Sequence, residues 1–162
     1  MFIIEPIKKE QATGELKILY KMIEKSMGFV PPHFELFASI DIEEMKEFML
    51  YNQKMLTHPN IDKNILPHLR LAIAQKECRS YCINFNTTML SQGEYILNAR
   101  SELLKEKVLK ALAKTNEFGK SDIAEVKKLG YTDKDLFDLL IYATNFMAKS
   151  KMIEIYLKEE SK

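Results

Sequence analysis

Along most of this chain the apolar residues return every three or four positions, and no stretch sustains the alternation of a half-buried strand. The pattern predicts an all-α fold. Leu16, Leu19, Tyr20, Ile23 and Met27 form one stripe, with Thr13 placed to cap its start and Gly28 just past its end. Pro31 and Pro32 then break the chain and pre-set a short helix with Phe34, Phe37 and Ala38 on its inner face. A third helix is predicted from Asp41, with Glu44 completing a capping box, through Met45, Phe48, Met49, Asn52 and Leu56. THPN, residues 57–60, is the turn that follows.

Leu66, Leu69 and Ile73 resume the helical spacing in a helix that should open near Pro67, because an interior proline removes a hydrogen bond and disfavours helical geometry at Leu66. A break is expected between Glu77 and Arg79. Tyr81, Cys82, Phe85 and Met89 then form a helix ending near Gly93. The segment from Ser101 to about Phe118 is amphipathic through Leu104, Val108 and Leu112, and a shorter helix follows from Ser121 to Gly130. Thr132 with Asp135 opens the last helix, whose stripe runs through Leu136, Leu140, Ala143, Met147, Ile153 and Tyr156. No repeat, linker or low-complexity segment interrupts the series, so a single helical domain over residues 1–162 is expected. A chain of this length buries roughly two thirds of its unfolded surface and needs no disulfide or metal to be stable.

Charge changes this picture only by exclusion. There are 24 Lys and Arg against 23 Asp and Glu, interspersed without blocks, which gives a nucleic-acid partner no electrostatic footprint. The opening MFIIEP lacks the basic start of a leader, and no apolar run approaches a membrane span, so a cytoplasmic location is expected. A reducing compartment would keep the two cysteines as thiols and make any pairing transient.

Those cysteines, Cys78 and Cys82, sit in KECRSYCINFNTTML, residues 76–90. If one helix contained both, they would share a face. A helix N-terminus with Arg79 alongside would favour the thiolate, the nucleophilic form. On spacing alone the reading as two structural thiols is the stronger one, because Cys82 lies on the apolar stripe with Phe85 and Met89 and free cysteine is among the most buried residue types. The three histidines share no zinc-like spacing with the cysteines, and no metal or cofactor is expected. His33 follows the two prolines and His58 lies in a turn, both as structural residues. Asn145, in ATNF, suits either a hydrogen bond across helices near the thiols or a polar role in the core.

Taken together, ATGELKILYKMI, GFVPPHF, LAIAQKECRSYCINFNTTML and LFDLLIYATNFMAKS resemble the alkylhydroperoxidase AhpD-like family of the carboxymuconolactone decarboxylase superfamily, over roughly residues 10–157. The most specific part is AQKECRSYCINFNTTML, which is similar to the family's CxxC dithiol followed four residues later by histidine. The resemblance implies an all-α, AhpD-like helical domain in a trimer-based homo-oligomer. It also implies a mechanism in which the second cysteine attacks a peroxide, the first condenses with the resulting sulfenic acid, and a lipoyl- or thioredoxin-type dithiol resets the pair. A glutamate and a histidine relay the proton.

Carried onto this chain, the resemblance places Cys82 on the attacking cysteine, Arg79 on the other cysteine and Asn86 on the histidine. Cys78 is displaced by one residue, and the relay glutamate falls on Pro67. Neither Pro67 nor the Asn86 amide can act as a base. Two substitutes stand in the sequence: Cys78 as resolving thiol if the turn winds to allow it, and His68 or Glu77 as base. Arg79 and Tyr81 are further supporting residues.

Three functions follow as expectations. One is a thiol-dependent oxidoreductase working through Cys82 and Cys78. Another is a member that binds a small apolar ligand or performs lactone-type decarboxylation without thiols. The third is a non-catalytic helical oligomer. Self-association is expected from the apolar load of Phe34, Phe37, Phe48, Phe118, Phe137 and Tyr156.

Overall fold

In a computed structural model that describes residues 2–157, the helical spacing becomes α1 (Gly14–Met27), α2 (Pro32–Ile40), α3 (Ile42–Leu56), α4 (Ile65–Lys76), α5 (Ser80–Gln92), α6 (Ala99–Ala113), α7 (Lys120–Lys128) and α8 (Asp133–Tyr156). No β-strand occurs among the described residues beyond one isolated bridge between Phe2 and Leu157. No helix among them is long and apolar enough to cross a membrane.

Local chemistry explains most boundaries. Gly28 ends α1 in the left-handed conformation, at φ 82°, where its N–H reaches the carbonyl of Glu24 at 2.7 Å. Thr13 stands at the N-cap of α1 as predicted, but its side chain makes no capping bond. Pro32 occupies the first turn of α2. Asp41 starts α3 by accepting the Glu43 N–H at 2.9 Å. Helix α4 opens at Ile65, two residues ahead of Pro67, and the proline sits in the first turn, where its missing N–H has no intrahelical partner to lose. Helix α6 stops at Ala113 rather than near Phe118. The Thr115 hydroxyl donates to the Ala111 carbonyl at 3.1 Å, and a short 3₁₀ turn, Thr115–Glu117, takes over.

The chain divides into two compact units. One comprises, among the described residues, 2–51 and 155–157. Its interior gathers the rings of Phe34, Phe37 and Phe48, with Phe48 centroids 5.4 and 5.7 Å from the other two. Tyr20 is buried and donates its hydroxyl to the Ile7 carbonyl at 2.9 Å. Burial first, and the Glu35 carboxylate second, push that phenol well above its usual range. Phe34 and Phe37, expected to contribute apolar surface for self-association, are therefore core residues. Of that predicted group, Phe137 stays exposed, at 62%.

The other unit, Asn52–Glu154, is built on the packed pair α4 and α5, with α6 also packed on α4. Leu66, Leu69, Ile73, Leu104, Val108, Leu139 and Ala143 fill its interior. Asn98 caps α6 by accepting the Ser101 N–H at 2.8 Å. Asp122 receives Lys107 and Lys110, each at 2.8 Å, and the Gly119 N–H at 3.1 Å, which together hold its carboxyl far below the usual carboxylate range. Thr132 and Asp135, expected to open α8, cap its start with reciprocal bonds of 2.7 and 3.1 Å.

Candidate functional site

The break between α4 and α5 sets the position of both cysteines. The N–H of Arg79 bonds to the Ala74 carbonyl at 2.9 Å and that of Cys78 to the Gln75 carbonyl at 3.3 Å, the two reciprocal bonds of a Schellman motif. In that motif the residue after the helix end must be left-handed, a place usually given to glycine. Here Cys78 fills it, at φ 53°, the one non-glycine residue with positive φ among those described. Its thiol is exposed.

Helix α5 begins two residues later. Arg79 is its N-cap, Ser80 and Tyr81 make the first turn, and Cys82 follows as the third helical residue. Cys82 is only 3% exposed. Both thiols are free, one at the surface and one inside, so no bonded dithiol is formed. The sequence argument that a helix start and an arginine would lower the Cys82 pKa is reversed by burial. Desolvation, and after it the negative charge of Glu154, push the thiol up to about 12, against smaller opposite effects from Arg70 and Arg79.

Around Cys82 lies a set of polar side chains drawn from α3, α4, α5 and α8. Asn86 is 1% exposed, and its amide nitrogen donates to the Cys82 carbonyl at 2.8 Å. Its oxygen accepts Arg70 Nε at 2.7 Å, so both ends of the amide are engaged by the protein. Arg70 Nη1 donates to the Tyr142 hydroxyl at 2.7 Å, and that hydroxyl donates to Asn52 Oδ1 at 3.3 Å. Arg70 is thus held by neutral acceptors. At the helix start, the Ser80 hydroxyl donates to Glu154 Oε1 at 3.1 Å. Glu154 Oε2 and Arg79 Nε are both fully buried without a hydrogen-bond partner.

The remaining predicted site residues are placed as follows. Arg79 Nη2 pairs with Glu77 at 3.3 Å, which turns that carboxylate to the arginine. His68 Nε2 lies 2.7 Å from the Tyr95 carbonyl; a carbonyl only accepts, so this nitrogen carries the proton and is committed as a donor. Tyr81 stacks on Phe85 with centroids 6.2 Å apart.

No protein-family model matches this chain, and no curated protein matches it in sequence. Several solved structures match it in three dimensions. One is a peroxidase-related protein from Silicibacter sp. TM1040, at TM-score 0.73 and 14% identity, covering 94% of this chain and 85% of that one. Another is an alkylhydroperoxidase AhpD core, a peroxidase-related protein from Ralstonia eutropha JMP134, at TM-score 0.75 and 16% identity, with 94% and 88% covered. The fold is AhpD-like. At these identities the likeness is one of backbone, and the chemistry has to be read from this chain's own residues.

Within the AhpD-like fold, two charged residues beside Cys82 went unnoticed in the sequence, although each carried a signal. Arg70 stands four positions after Leu66 and three before Ile73, a charge on the apolar stripe of α4. Glu154 extends the inward spacing Ala143, Met147, Ser150 on α8 in the same way. His58, expected as an ordinary turn residue, has its Nδ1 accepting the N–H groups of Asn60 and Ile61 at 3.3 and 3.2 Å. Its Nε2 lies 3.4 Å from Asp138 and 3.7 Å from Asp135, with both side chains buried. A groove of about 450 Å³ between α4 and the end of α6 is lined by Ala72, Lys76, Leu109, Ala113 and Lys114, and none of the residues around Cys82 takes part in it.

Proposed function

We propose that the protein is a thiol-dependent oxidoreductase of AhpD-like type in which Cys82 reduces a hydroperoxide. The observation that carries this reading is the position of Cys82: a buried thiol in the first turn of the second helix of the α4–α5 pair, with Arg70, Arg79, Ser80 and Glu154 gathered about it in an AhpD-like fold. Attack by sulfur on the distal peroxide oxygen breaks the O–O bond and leaves a Cys82 sulfenic acid and an alcohol. Cys78 acts as resolving thiol once the turn that holds it unwinds. A cytoplasmic dithiol of lipoyl or thioredoxin type then returns the disulfide to two thiols. The working form is a homo-oligomer, trimer-based.

Turnover is expected to be slow, since a thiol whose pKa is pushed up to about 12 supplies very little thiolate at neutral pH. The test is trapping of sulfenic acid on Cys82 with a sulfenic-acid-selective reagent after one equivalent of cumene hydroperoxide. Trapping that is lost in Cys82→Ser, together with dithiol-dependent turnover that falls in Cys78→Ser, is the expected result. Hydroperoxide consumption that persists in Cys82→Ser would overturn it. A non-catalytic helical oligomer is the second reading, favoured by the burial of Cys82, and it predicts that no trapped product forms.

A further inference from the structure

A buried thiol at the head of a peroxide reaction has two proton problems. It must lose a proton before sulfur can attack, and the departing alkoxide must gain one. The residues that the family resemblance assigns to this task are Pro67 and Asn86 here. Neither can carry a proton, and Asn86 is held at both ends by Arg70 and the Cys82 carbonyl. His68 is committed to the Tyr95 carbonyl and Glu77 to Arg79. A carboxylate on α8 remains.

Resting on the reading of Cys82 as the peroxide-reducing thiol, we propose that Glu154 is the proton acceptor and donor of this site, held in place by Ser80. Geometry carries the proposal. Ser80, two residues ahead of Cys82 on the first turn of α5, fixes one carboxylate oxygen by donating to Oε1 at 3.1 Å. The second oxygen, Oε2, is fully buried with nothing to accept from. A desolvated carboxylate oxygen without a donor is costly, and it persists where its unmet acceptor capacity is used. The charged groups that act on the Cys82 thiol are Glu154 from α8, Arg70 from α4 and Arg79 from the turn before α5; of these only Glu154 can take up a proton.

The step balances. Glu154 Oε2 makes no direct hydrogen bond to the thiol, so the S–H proton passes to it across one bridging water as the sulfur lone pair attacks the distal oxygen of ROOH. The S–O bond forms and the O–O bond breaks, so sulfur is oxidised by two electrons and the peroxide reduced by two. The Glu154 proton then goes to the leaving alkoxide, giving ROH, Cys82 sulfenic acid and the original carboxylate.

A charge that only suppressed the thiolate would act in the opposite direction, and this makes the proposal testable. In Glu154→Gln, alkylation of Cys82 by iodoacetamide, which needs thiolate and no protonated leaving group, should be unchanged or faster. Sulfenic acid formation with cumene hydroperoxide should fall roughly 10²-fold. Glu154→Asp should recover part of the peroxide rate, and Ser80→Ala, which keeps the carboxylate and loosens it, should lose less than Glu154→Gln. Equal peroxide rates in wild type and Glu154→Gln, or a parallel fall of both reactions, would overturn the assignment of Glu154. Absence of sulfenic acid in the wild type as well would instead overturn the peroxide reading itself.

Discussion

Cys82 carries the largest disagreement between chain and structure, and it is a disagreement of environment. Its position at the start of a helix was legible in the spacing of Tyr81, Phe85 and Met89. The sign of its pKa shift was not, because that depends on a carboxylate 72 positions away in sequence and on burial contributed by other helices. A thiol raised from 9.0 to about 12 should be alkylated at pH 7 roughly 10³-fold more slowly than in the denatured chain, with a rate that climbs as pH rises toward 12. Stability follows the same sign. The thiol favours the folded state below pH 9 and loses that contribution as pH rises through 12, so Cys82→Ala should show a shallower loss of stability over that window than wild type. Cys78 offers a second test. A side chain held at φ 53° is relieved by glycine, and Cys78→Gly should raise stability by about 0.5–1 kcal/mol, while Cys78→Ala should leave it nearly unchanged. A urea midpoint that falls in Cys78→Gly would remove the left-handed turn from the account.

At the scale of elements, the periodicity located each helix, and the errors lie at ends where side chains compete with the backbone. Thr115 shortened α6 by drawing on the Ala111 carbonyl, and Asn98, which caps that helix, is legible only once the true start is known. Asn98→Ala should cost about 1 kcal/mol, measured by thermal or urea unfolding. The start of α8 carries a stronger electrostatic load. Lys134 first, and Lys54 with it, hold the Asp138 carboxyl down at about 2, with His58 Nε2 close by. A depressed carboxyl stabilises the fold above its ordinary pKa near 4 and ceases to do so as pH falls through 2. Asp138→Asn should therefore be less stable at pH 6 and less sensitive to acid between pH 4 and 2, as followed by the helical circular-dichroism signal.

For the molecule as a whole, the all-α class could be read from the chain because a period near 3.6 is a local property repeated in nearly every segment. What the chain could not convey is which apolar residues remain outside. Phe34 and Phe37 turned inward, whereas Leu50, Ile96 and Phe137 stay 67, 76 and 62% exposed. Single exposed apolar residues are ordinary, but large ones in this number favour the proposed homo-oligomer. Sedimentation at micromolar concentration should give a species larger than a monomer, and Phe137→Lys should shift it toward the monomer if α8 supplies the contact. The free thiol on the turn before α5 bears directly on how such samples behave. In aerated buffer Cys78 is available to link one copy to another covalently, and aged preparations would then run as doubled bands on non-reducing gels whatever their native assembly. Buried Cys82 would be spared. A Cys78→Ser protein, or fresh reductant throughout, separates that storage artefact from true association, and the same surface thiol gives a ready handle for attaching one fluorophore per chain.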